Sequence, residues 1–124
     1  MKTLTIIITT LILLVIGFFI YNSITGNVIS GPGEYDSFAQ CLTDAGVVMY
    51  GTDWCSYCQR QKDLFGNSFR LIESVDCDRN RQECVVAGVT GFPTWKINGQ
   101  LYPGLQSLER LSELTSCEIN PKTN

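Results

Sequence analysis

The chain has 124 residues, nine basic and twelve acidic side chains, a formal charge of −3 and no histidine. That length allows one small domain with an extension. The missing histidine excludes Ser-His-Asp and Cys-His nucleophile schemes and most zinc enzymes. With no basic stripe, nucleic acid is not an expected partner.

In chain order, the first element is an apolar run from Leu4 to Tyr21, built from Ile6-Ile7-Ile8, Leu11 to Ile16 and Phe18-Phe19-Ile20. A bilayer core needs roughly 20 helical residues, so residues 1–21 read as a single-pass membrane anchor. Thr5, Thr9, Thr10 and Gly17 are small enough to be tolerated there, and Tyr21 suits the interfacial belt. A cleaved signal peptide is the competing reading, but its apolar core is shorter and needs a small-x-small site. Ser23-Ile24-Thr25 and Val28-Ile29-Ser30 are poor candidates. Both readings send the rest of the chain out of the cytoplasm. Lys2 is the only basic side chain before the apolar run, so the N-terminus is expected inside and the domain outside. Residues 22–33, rich in Gly, Ser and Asn, read as a flexible stalk.

Residues 34–124 read as the folded domain. Tyr35 to Ala45 has a helical face of Phe38, Cys41, Leu42 and Ala45, ended by Gly46. Val47 to Tyr50 is a short buried strand. Cys55 to Phe65 is a helix with Leu64 and Phe65 inward and Gln59, Arg60, Lys62 and Asp63 outward, stopped at Gly66-Asn67. Leu71 to Val75 is a second strand, and Arg79 to Ala87 a short helix ended by Gly88. Thr94–Ile97 and Gln100–Tyr102 flank Asn98-Gly99, a strong hairpin signal. Ser107 caps a last helix with Leu108, Leu111, Leu114 and Thr115 on one face. The expected fold is a small α/β domain with a mixed sheet.

Trp54-Cys55-Ser56-Tyr57-Cys58 carries the chemistry. Disulfide exchange needs an accessible thiolate, and Cys55 leaves a strand to open a helix, where unpaired N–H groups favour one. Cys58, one turn later, can close a disulfide and release a mixed-disulfide partner. Cys55 is thus expected to be the exposed attacking thiol and Cys58 the resolving one packed behind it. The bland alternatives are a permanent short-loop disulfide or a zinc site; the latter wants a second closely spaced pair.

Gly91-Phe92-Pro93-Thr94 offers a proline at a strand start, which by itself is unremarkable in a sheet. Its functional reading is a cis-proline beside the dithiol that turns the Phe92 backbone outward to pair with an extended substrate segment. Trp54, Phe92 and Pro93 are therefore the candidate substrate-binding residues. Four cysteines remain. Cys77 ends a strand and Cys84 lies in the next helix, so a local Cys77–Cys84 bond leaves Cys41 with Cys117. The first and last helices of the domain are expected to run to the sheet end opposite the dithiol, which would bring Cys41 and Cys117 together. Cys41 could instead be a small core residue on an apolar helix face.

From about Phe38 to Cys117 the chain resembles the thioredoxin-like domain fused to bacterial, archaeal and plant homologues of vitamin K epoxide reductase. The resemblance rests on Met49-Tyr50-Gly51, Trp54-Cys55-x-x-Cys58, Gln61-Lys62-x-Leu64-Phe65-Gly66, Asp76-Cys77, Gly91-Phe92-Pro93-Thr94-Trp95, Ile97-Asn98-Gly99-Gln100-Leu101-Tyr102 and Leu105-Gln106-Ser107-Leu108. It implies a thioredoxin-like fold, a redox pair at Cys55 and Cys58, and a cis bond at Pro93. It also implies disulfide formation, with electrons passed to a quinone-reducing membrane protein. The chain departs from the pattern in lacking a four-helix quinone-binding bundle, so that oxidase must be a separate partner. Met49 stands where thioredoxins carry a buried Asp, and Ser56-Tyr57 replaces the Pro-His or Gly-His of strong oxidants.

The combined expectation is a membrane-anchored thiol–disulfide oxidoreductase acting on cysteine-containing exported proteins, without cofactor or metal. Oxidation or isomerisation is favoured over reduction. A reductase of an extracytoplasmic pathway and a redox-inert binding module are the alternatives.

Overall fold

The computed structural model describes residues 1–25 and 31–121. Its first unit is helix α1 (Lys2–Thr25). The stretch Lys2–Tyr21 has a mean hydropathy of 2.7 and buries none of its side chains. It is long and apolar enough to cross a membrane, as a signal sequence would also be. The hydroxyls of Thr5, Thr9 and Thr10 donate to the carbonyls of Met1, Ile6 and Ile7, so these polar groups are satisfied within the helix. The helix passes through Gly17 and runs into the segment read as a stalk, ending at Thr25 just before Gly26. Residues 26–30, the middle of that stalk, lie outside the described residues.

The second unit begins at Gly31. Its elements are α2 (Asp36–Asp44), β1 (Val48–Gly51), α3 (Ser56–Phe65), a 3-10 turn (Gly66–Leu71), β2 (Glu73–Asp76), α4 (Arg81–Ala87), β3 (Thr94–Ile97), β4 (Gln100–Pro103) and α5 (Leu108–Thr115). The four strands form one sheet in the order β2-β1-β3-β4. β1 runs parallel to β2, with Gly51 opposite Asp76, and antiparallel to β3, with Met49 opposite Trp95. β3 and β4 form the hairpin at Asn98-Gly99, where both residues have positive φ (51° and 80°), as a tight primed turn demands.

Alternation along β1 sorts the core into two faces. Met49 joins the larger cluster with Phe38, Leu42, Phe65, Trp95, Ile97 and Leu111, while Tyr50 joins Cys77 and Cys84 on the other face. Phe65 is the hub of the larger cluster: its ring stacks on Phe38 at 5.9 Å and tilts against Trp95 at 6.1 Å. The 3-10 turn ties to the domain's first residues, because Ser68 Oγ accepts the Tyr35 N–H and Arg70 grips the Asp36 carboxylate with both terminal nitrogens.

Three details differ from the sequence expectation. Leu64 is 40% exposed, whereas Gln61 is fully buried. The inward face of α3 is set by Cys58, Gln61 and Phe65, three and four residues apart, and Leu64 falls off that stripe. On α2, Ala39 is buried and Ala45 is the exposed C-cap. The 3-10 turn takes up Leu71, so β2 starts at Glu73. A mixed four-stranded sheet with a β1–α3–β2 crossover, a closing hairpin and flanking helices is the thioredoxin-like fold.

Candidate active site: a dithiol at the start of α3

β1 ends at Gly51, and Thr52-Asp53-Trp54 lead directly into α3, whose N-cap is Cys55. The cap geometry places Cys55 Sγ over the open N-terminus, where it accepts the Cys58 N–H at 3.1 Å. Cys55 and Cys58 both carry free thiols. Cys55 is 7% exposed and Cys58 fully buried. The expectation of an exposed Cys55 is not met: both thiols are buried, Cys55 slightly less than Cys58, because the capping bond folds the Cys55 side chain onto the helix.

The neighbours give Cys58 a chemical character of its own. Burial pushes its thiol up to about 12, and the hydrogen bond to Cys55 adds to the rise. The Thr52 backbone N–H and the Lys62 cation act in the opposite direction. In the reduced form, Cys58 therefore holds its proton at neutral pH.

Three loops converge around the dithiol. Trp54, 72% exposed, donates its Nε1–H to Asp78 Oδ2 at 2.8 Å, which ties the β1–α3 loop to the β2–α4 loop. Its ring meets Phe92 edge-on at 6.1 Å. Phe92 packs against both core clusters, including the one that contains Cys55 and Cys58. The Phe92–Pro93 peptide is cis, and Pro93 is buried with its carbonyl accepting the Gly104 N–H at 2.7 Å. Trp54 and Phe92 thus meet beside the cluster that holds the dithiol, and buried Pro93 immediately precedes β3.

The other four cysteines are paired: Cys41 with Cys117 at a Cα separation of 5.9 Å, and Cys77 with Cys84 at 5.8 Å. The second pair adjoins the site, since the Cys77 N–H donates to the Gly51 carbonyl and both cysteines pack with Phe92.

Gln61 is the residue that sequence reasoning missed. Its Oε1 accepts from Trp95 Nε1 at 3.1 Å and from the Gln106 N–H at 2.8 Å, while its Nε2 donates to the Gln106 carbonyl at 2.9 Å. It locks the dithiol helix to β3 and to the approach of α5. Its position three residues after Cys58, on the same helix face as Phe65, was the available signal.

No protein-family model matches the chain. Thiol-disulfide oxidoreductase LTO1 of Arabidopsis thaliana is 32% identical over 93 residues, which cover 68% of this chain and 25% of that protein. Protein disulfide isomerase-like 2-1 of Oryza sativa is 33% identical over 88 residues, covering 60% and 24% respectively. A probable protein disulfide-isomerase A6 of Medicago sativa is 33% identical over 86 residues, covering 58% and 24%. The chain spans about a quarter of the length of these curated relatives. Among solved structures, oxidised thioredoxin from Plasmodium falciparum aligns over 64% of this chain and 86% of its own, at 20% identity and a TM-score of 0.40. The chain is a thioredoxin-fold homologue of thiol–disulfide oxidoreductases.

Proposed function

We propose that this chain exchanges disulfides with cysteines of exported proteins, held at the membrane by residues 1–21 with residues 34–124 outside the cytoplasm. Cys55 attacks and Cys58 resolves. The observation that carries this reading is the asymmetry of the pair: one free thiol, 7% exposed, caps a helix whose entry loop carries the exposed Trp54, and the other is fully buried one turn behind. The Cys55 thiolate attacks a client disulfide, releases one client thiolate and forms a mixed disulfide. The Cys58 thiolate then attacks Cys55 Sγ, closes Cys55–Cys58 and releases the second client thiolate. In oxidation the same steps run backwards, and a separate quinone-reducing membrane oxidase restores the disulfide. The motif residues shared with the thioredoxin-like domains of vitamin K epoxide reductase homologues support net oxidation or isomerisation.

The Cys58→Ser variant is expected to accumulate mixed disulfides between Cys55 and exported proteins, visible as reducible adducts after acid trapping. The reading fails if Cys55→Ser is the variant that traps clients.

A further inference from the structure

Beside Cys58, the α3 side of the sheet opens on a cavity of about 240 Å³ whose walls include Gly51, Thr52, Asp53, Lys62, Asp76 and Arg79. Two of these residues also touch the thiol. A Cβ on Gly51 would stand 2.9 Å from Cys58 Sγ, and the Thr52 backbone N–H favours the thiolate form of that sulfur. The buried thiol is therefore separated from the cavity by a single layer of backbone. Thr52 Oγ1 is buried with no protein partner among the described residues. A polar cavity of this size has room for water.

The charges along this wall are unequally engaged. Asp76 accepts the Asp78 N–H at 3.0 Å and pairs with Arg79 at 3.2 Å. Lys62 lies one turn after Cys58 on the same face of α3. Its nearest carboxylate oxygen, on the largely exposed Asp53, is 3.6 Å away, and its ammonium leans over the Phe69 ring at 5.7 Å. Its cation is the one that acts on Cys58.

The catalytic cycle makes that charge matter at one moment. While both thiols are free, Cys55 opposes ionisation of Cys58 through its hydrogen bond and its charge. Once Cys55 is bound to a client, its thiol proton and its charge are gone. Burial then stands against the Thr52 N–H and Lys62, and of those two only Lys62 is a side chain. Resting on the exchange reading above, we propose that Lys62 is a positioning residue for the resolving step. Its ammonium stabilises the negative charge that must form on Cys58 Sγ as the proton leaves for solvent. The balance is simple. Cys58 gives its proton to water, its sulfur bonds to Cys55 Sγ, the Cys55–client bond breaks, and the client leaves as a thiolate. The titratable groups acting on Cys58 are Cys55 and Lys62, and the other charged groups of the adjoining cavity wall are Asp53, Asp76 and Arg79.

The full chain in detergent micelles, reduced and then mixed with 5,5′-dithiobis(2-nitrobenzoate), separates the two half-reactions. The first released thiolate reports Cys55, and the second reports attack by Cys58 on the mixed disulfide. Lys62→Met is expected to move the pH midpoint of the second release up by about one unit and to slow it about tenfold near neutral pH, with the alkaline plateau unchanged. Lys62→Arg should keep the wild-type midpoint. Asp53→Asn, on the exposed side of the pair, should move it down. A Lys62→Met profile that superimposes on wild type, or that falls by one factor at every pH, overturns the proposal. So does an Asp53→Asn midpoint that moves up. A wild-type chain that gives no first release overturns the exchange reading, and the role of Lys62 with it.

Discussion

The two ends of the sheet use cysteine in opposite ways. Where α2 enters β1, Cys41 is bonded to Cys117, 76 residues away, and Cys117 sits in the core with Leu42 and Leu111. Where β1 leaves the sheet, Cys55 and Cys58 are three residues apart and free. The difference lies in what holds each pair together without its bond. One helical turn keeps Cys55 and Cys58 within reach whatever their redox state, so their bond can open and close at little conformational cost. Cys41 and Cys117 close a loop that spans most of the domain, and opening it releases that constraint on the unfolded chain. Exchange needs a short, preorganised loop, and stapling gains most from a long one.

The sharpest way to break this comparison is to remove the staples. In the chain-entropy account, replacing Cys41 and Cys117 by Ala costs about 4.5 kcal/mol of stability, and replacing Cys77 and Cys84 costs about 2.5 kcal/mol. Urea unfolding of the two double variants should rank them in that order. The first should leave the initial thiolate release from Cys55 unchanged. The second should alter it, because Cys77 and Cys84 pack against Phe92. If the short-loop variant is the less stable of the two, loop length is not what separates the two ends.

Helix α3 itself is held to the sheet without a covalent tie, and Gln61 does that holding. Its amide makes three hydrogen bonds that join α3 to Trp95 and Gln106. Gln61→Met, close in volume, leaves the Trp95 Nε1–H and both Gln106 backbone groups without those partners. We expect a loss of about 2 kcal/mol, given that some of these groups can reach water. A shift in Trp95 fluorescence should accompany it. An unchanged urea midpoint would show that packing of Phe65 and Trp95 alone fixes the helix.

How far the sequence could be read follows from the same contrast. Cys55, Cys58, the Asn98-Gly99 hairpin and the Ser107 cap depend on local rules, and each is visible in a few consecutive residues. The fold class followed from their order. Gln61 and Leu64 depend on which stripe of α3 meets the sheet, which is tertiary information. Composition favours Leu64 for the core, but the stripe through Cys58 and Phe65 selects Gln61, and the hydrogen bonds to Trp95 and Gln106 offset the burial of its amide. The 3-10 turn was hidden for a related reason. Its anchor is Ser68, whose hydroxyl serves Tyr35 from across the chain. Cys55 looked like an open thiol because a helix start suggests access. Its capping bond to the Cys58 N–H, a side-chain detail, covers it.

The smallest effect sharpens the comparison by pH. Burial raises the Cys58 thiol to about 12, above the about 8.5 of an unfolded cysteine. A raised acid contributes stability that is complete below the unfolded value and is lost as pH rises through the folded one. The reduced domain should therefore lose stability progressively above about pH 8.5. The oxidised domain has no Cys58 thiol and lacks this loss, while ionisation of Tyr and Lys is common to both forms and cancels in the difference. The urea midpoint of the reduced form should accordingly fall relative to that of the oxidised form from about pH 7.5 to about pH 10. Reduced Cys58→Ser should remove the part of the slope that Cys58 supplies. The Cys41–Cys117 end carries no titrating thiol, so the alkaline sensitivity belongs to the end of the sheet that exchanges. A slope that survives Cys58→Ser unchanged would mean that Cys58 is not the proton-holding partner, and the division of labour between the two thiols would have to be redrawn.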